Sequence, residues 1–77
     1  MSAGSTIGEL TAAADRGDHD DVIRRATAIL ADQPGNDAAH ALRARAHLAL
    51  GNLADAEADA QAAVRLDPDE VRYRELL

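Results

Sequence analysis

The sequence predicts an all-α fold: a right-handed stack of antiparallel helical hairpins, an α-solenoid of about five helices. Three observations carry that expectation. Gly17 and Gly51 lie 34 residues apart, and so do Pro34 and Pro68. The same offset of 34 superposes Ala12 on Ala46, Asp21 on Asp55, Ala26 on Ala60 and Ala28 on Ala62. A fixed period of this length marks a stacked helical array. Finally, Ala, the strongest helix former, dominates, Phe and Trp are missing, Tyr73 is the only aromatic residue, and β-branched residues never alternate at period two.

The elements follow in order. Thr6 with Glu9 three places on forms a capping box, which opens a first helix running through Leu10 and Ala14 to about Arg16. Gly17 ends it, because Gly tolerates the left-handed turn after a helix. Asp18 caps the second helix, and Asp20 and Asp21 in its first turn suit the helix dipole. Val22, Ile23, Ala26, Ile29 and Leu30 then draw an apolar stripe at spacings of three and four, up to Gln33-Pro34-Gly35. Asn36 caps a third helix carrying Ala41, Ala44, His47 and Leu48 towards Leu50, closed by Gly51. Asn52 caps a fourth, with Leu53, Ala56, Ala60, Ala63 and Val64 on its buried side. Asp67-Pro68-Asp69-Glu70 combines an Asp cap, Pro at the first helical position and a Glu three after the cap, predicting a fifth helix from Val71 to Leu77. Such short connections force neighbouring helices to run antiparallel.

Length and charge narrow the function. Seventy-seven residues make one small domain. Without Cys there is no disulfide, thiolate nucleophile or thiolate metal site. No run approaches the ~20 apolar residues of a membrane span, and the first six residues lack the basic start and apolar stretch of a secretory signal, so the expected location is cytoplasmic. The net charge of −6, with Lys absent, argues against nucleic acid, whose binding rests on basic neutralisation. The pairs Arg24/Arg25, Arg43/Arg45 and Arg72/Arg74 sit near acids and read as solvated, mixed-charge helix faces. The Ala/Asp/Arg bias without Lys is what a GC-rich bacterial genome tends to produce.

The stretch from Asp37 to Pro68 resembles a tetratricopeptide repeat, a helix-turn-helix unit of 34 residues. The run Leu48-Ala49-Leu50-Gly51-Asn52-Leu53-Ala54-Asp55-Ala56 is similar to that family's central turn, and Ala62-Ala63-Val64-Arg65-Leu66-Asp67-Pro68 to its ending. The upstream unit keeps Gly17, Val22, Ile29-Leu30 and Pro34. The resemblance implies a single domain over residues 1–77: repeat one about 3–36, repeat two about 37–70, and a partial or capping helix over 68–77. The chain departs from the family where aromatics are usual, placing Ala26 and Ala60 in the second helices and Thr6, Ala13, His40 and His47 in the first. Small side chains bury less area, so the expected core is thin. Two units also fall below the three usually needed for independent stability, which suggests a piece of a larger protein, a docked module or a self-associating one. Pentatricopeptide repeats are disfavoured, since they have a period one residue longer and a basic surface.

Few residues suggest chemistry. His40 and His47, seven apart, share a helix face but stand roughly 10 Å apart along the axis, too far for one metal ion. They are read as planar rings packed between helices, and if buried and neutral they would loosen the fold at mildly acidic pH. His19 with Asp18, Asp20 and Asp21 lacks the ligand loop of a calcium site and reads as helix-start chemistry. Ser2, Ser5, Thr6 and Thr27 have no base and orienting carboxylate beside them. The expectation is no enzyme, no catalytic residue, no cofactor and no metal.

The reading is therefore a protein–protein interaction module that offers a helix-lined concave groove to a peptide or protein partner, as an adaptor or docking piece of a larger bacterial protein or complex. The resemblance implies that first helices line this groove, here through Ile7, Thr11, Ala14 and Asp15, then Ala41, Arg45, Leu48 and Ala49. Arg45 is the candidate for a partner carboxylate. Family members that bind chaperone C-termini use a cationic and Asn-rich clamp, and Ile7 and Thr11 at those places argue against that role. Two other readings stand beside it: a homo-oligomer joined through an apolar end of Val71, Tyr73, Leu76 and Leu77, and a small regulatory subunit of an enzyme.

Overall fold

The computed structural model describes residues 6–77, so Ser2, Ser5 and the expected start of repeat one near residue 3 lie outside the described residues. Five helices follow one another: α1 (Ile7–Asp15), α2 (His19–Asp32), α3 (Asp37–Leu50), α4 (Leu53–Leu66) and α5 (Val71–Arg74). Their bounds repeat. Helices α2 and α4 run over 19–32 and 53–66, and α3 and α5 begin at 37 and 71, an offset of 34 each time. Among the described residues there is no β-strand.

The helix ends follow from the residues placed there. At α1 the Glu9 N–H donates to Thr6 Oγ1 at 3.1 Å and the Thr6 N–H to Glu9 Oε1 at 3.0 Å, the reciprocal capping box. Asp18 accepts from the Asp21 N–H at 3.3 Å, and Asn36 from the Ala39 N–H at 3.1 Å. Gly17 and Gly51 both adopt left-handed backbone, with φ of 71° and 81°. Each turn closes with the same pair of bonds. The N–H groups of Gly17 and Asp18 reach Ala14 and Ala13 carbonyls at 3.0 and 3.1 Å, and those of Gly51 and Asn52 reach Leu48 and His47 at 3.1 and 2.8 Å.

Three local expectations differ. Asn52 precedes α4 but makes no side-chain cap bond; its amide turns back to His47 Nδ1 at 3.2 Å. Asp67 closes α4, and Glu70, not Asp67, caps α5 by accepting from the Arg72 N–H at 3.2 Å, leaving Pro68 in the connecting turn. Helix α5 stops at Arg74 and not Leu77. The N–H groups of Leu76 and Leu77 bond three residues back, to Tyr73 and Arg74, so the chain tightens into a turn.

Helix α3 packs on both α2 and α4, α1 rests on α2 and α3, and α4 carries α5. The core cluster is Leu10, Ala13, Val22, Ala26, Ile29, Ala39 and Ala46, edged by Ala14, Ile23, Leu30 and Leu42. Among the described residues, only Leu10 and Val22 are large side chains that are fully buried. In the second hairpin every fully buried apolar residue is an Ala, with Leu42 and Val64 half-buried beside them. Leu53, expected inside, is 67% exposed, whereas Asp59 on the same helix is buried beside Ala56, Ala60 and Ala63. Helix faces are thus not all solvated where charged: Asp21 and Asp59 are each only 5% exposed.

Candidate functional site along α3

Two hollows flank the middle of α3. The larger, about 180 Å³, lies between α3 and α5 and is lined by Ala38, Ala41, Leu42, Arg45, Arg72, Tyr73 and Leu76. The smaller, about 110 Å³, lies where α1 meets the start of α2 and is bordered by Ala14, His19, Val22, Leu42, Arg45 and Ala46. Leu42 and Arg45 form the divide common to both. Their spacing of three places them on one face of α3, and the surrounding Ala residues leave the space that larger side chains would fill.

Of the eight residues expected to line a groove, Ala14, Ala41 and Arg45 border these hollows. Ile7, Thr11, Asp15, Leu48 and Ala49 are exposed but border neither hollow, and the Thr11 hydroxyl donates back to the Ile7 carbonyl at 2.9 Å. The sequence reading missed Leu42 and Ala38, one step round the helix from the chosen positions. It also missed the contribution of α5. Tyr73 reaches across to α3, its hydroxyl donating to Asp37 Oδ2 at 2.9 Å. Burial, helped by that hydrogen bond and by nearby carboxylates, pushes the Tyr73 phenol up to about 12.

Two ion clusters fix the helices that frame the site. In the first hairpin, Asp21 accepts from Arg16 at 3.1 Å, from Arg25 Nε at 2.9 Å and from Arg24, while Arg25 reaches Glu9 at 3.4 Å. The hydrogen bond from Arg25 holds the Asp21 carboxyl below the usual carboxylate range, against the opposing effect of burial. In the second hairpin, Arg43 grips Asp59 with two bonds of 2.7 Å and also donates to Thr27 at 3.0 Å, tying α3 to α4 and α2. Burial raises the Asp59 carboxyl, but the bonds from Arg43 and His40 outweigh it and leave the group lowered. Among the described residues, no buried side-chain polar atom is without a hydrogen-bond partner.

The two histidines meet this second cluster. His40 Nδ1 lies 3.0 Å from Asp59, its Nε2 lies 3.3 Å from the Pro34 carbonyl, and His47 Nε2 is 3.9 Å from Asp59. An imidazole with one proton can donate to only one of the two acceptors facing His40; the imidazolium can donate to both. Both rings thus face the Asp59 carboxylate, a neighbour that the sequence reading did not foresee.

Tandem antiparallel hairpins, repeating helix bounds and a shared glycine-turn geometry define a helical-repeat scaffold. The tetratricopeptide-repeat family model matches residues 13–77, and the chain belongs to that family. No curated protein and no solved structure matches the chain. Tetratricopeptide repeats are interaction domains that bind proteins or peptides, and this chain is a protein–protein interaction module in that general sense. No helix among the described residues is long and apolar enough to cross a membrane.

Proposed function

We propose that the chain binds a protein or peptide partner across the face of α3, as an adaptor or docking element, with the partner seated in the two hollows either side of Leu42 and Arg45. The observation that carries this reading is Arg45. It is exposed, stands between both hollows, and has no ion pair among the described residues, whereas Arg16, Arg24, Arg25, Arg43 and Arg72 all have carboxylate partners. An unpaired guanidinium beside small apolar hollows suits a segment with one apolar side chain and one acceptor. Ile7, Thr11, Asp15, Leu48 and Ala49 would extend the contact along α1 and the end of α3.

The test places a photo-crosslinking residue at Ala38, in the larger hollow, and separately at Glu57, an exposed position on α4 bordering neither hollow. Adducts should form from position 38 and fade when Arg45→Glu is added. Equal adducts from both positions, insensitive to Arg45→Glu, would remove the α3 face from consideration.

A second reading, self-association, is favoured by the apolar edge at the α4–α5 end, where Leu66, Val71 and Leu77 are 45%, 53% and 62% exposed. Light scattering over a concentration series separates the two readings, since only self-association makes the mass rise.

A further inference from the structure

Glu9 and Arg43 occupy equivalent places in α1 and α3, and Arg25 and Asp59 occupy equivalent places in α2 and α4; both offsets are 34 residues. Each equivalent pair is in contact, Glu9 with Arg25 at 3.4 Å and Arg43 with Asp59 at 2.7 Å. The same bridge is therefore built twice, with the signs exchanged. In the first hairpin the acid stands on the leading helix; in the second it stands on the trailing one.

We propose that this exchanged polarity is a matching code that lets α1 pair with α2 and α3 with α4, while rejecting pairings shifted by one repeat, within the chain or between two copies of it. Helix length does not discriminate here. Helices α2 and α4 have the same length of 14 residues, and the contact face of α4 is Ala56, Ala60 and Ala63, smooth enough to receive α1. Charge separates the choices. Laying α1 on α4 sets Glu9 against Asp59, a carboxylate already withdrawn from water and then stripped of Arg43. Laying α3 on α2 in hairpin fashion sets Arg43 against Arg25. The first mismatch sets two carboxylates together, the repulsive element that specificity requires beyond attraction; in the second, Asp21 beside Arg25 tempers the repulsion, so the first carries the discrimination. The second carboxylate beside Arg25, Asp21, leaves the first mismatch untouched, because it lies on α2 and not on α4.

The deciding comparison is Glu9→Arg against Glu9→Ala in the full chain. Both lose the Glu9 arm of the capping box and the bridge to Arg25, on a side chain that is 53% exposed. Only Glu9→Arg becomes repelled by Arg25 and complementary to Asp59. Light scattering at matched concentrations should show a dimer fraction about threefold higher for Glu9→Arg than for Glu9→Ala, with helicity retained by circular dichroism. A companion variant, Arg43→Glu with Asp59→Arg, keeps a bridge in each hairpin but gives both the same polarity, and it should also raise the dimer fraction. Equal dimer fractions for Glu9→Arg and Glu9→Ala would overturn the proposal, and that comparison stands alone if the companion variant fails to fold.

Discussion

At Asp59, one carboxylate answers to a guanidinium and two imidazoles, so its removal leaves Arg43 partly enclosed without its ion-pair partner. Breaking a buried pair from one side is costlier than replacing both members. Asp59→Ala should lower stability by about 2 kcal/mol, and Arg43→Met with Asp59→Leu by less, both measured by urea unfolding. The same chemistry sets the response to acid. Asp21 and Asp59 have folded values below their usual ones, so their stabilisation is present above the unfolded value near ~3.9 and is lost as pH falls through the folded values. Thermal melts should show these two contributions intact at pH 5 and a falling midpoint only below about pH 4. A drop centred near pH 6.5 would mark the histidines as the controlling groups instead. Asp59 was legible in outline only: its offset of 34 from Arg25 stands in the sequence, but Asp55, Glu57 and Asp59 read alike on a helix whose Ala residues give no strong stripe.

Between elements, legibility depended on backbone chemistry. The left-handed glycines and the caps at Thr6, Asp18 and Asn36 are local, and each was readable from a few adjacent residues. The docking of α5 is not local, because Tyr73 finds Asp37 across 36 positions of chain. No sequence rule points one lone aromatic ring at one particular carboxylate, and the α3–α5 hollow was missed for that reason. Tyr73 gives a direct check on that docking, since the chain has no other tyrosine and no tryptophan. Its phenol is raised above its usual value near 10, so the contribution to folding is present below that pH and lost as pH rises toward the folded value. Ultraviolet absorbance titration should give a midpoint about 12; Asp37→Asn should move it down toward the usual value.

Across the molecule, the two hairpins are alike in path and unlike in filling. Leucine, valine and isoleucine occupy the first, and the fully buried apolar residues of the second are all Ala. Leu10→Ala should therefore cost about 3 kcal/mol, more than any Ala→Gly change on the inner face of α4, when compared by chemical denaturation. Native-state hydrogen exchange should find the amides of α4 and α5 opening before those of α2. The period itself was plain from sequence, since a thin core does not blur the punctuation that sets it.

The helix starts at 37 and 71 make the chain a ruler graduated in one unit, with a capping side chain at each mark. A gene carrying residues 37–70 twice in succession would place Glu70 before each new unit, so the backbone would have no seam. The two copies of that unit would, however, bear bridges of identical sign. Growth by duplication would lengthen this protein easily and leave the newest neighbours unable to tell each other apart.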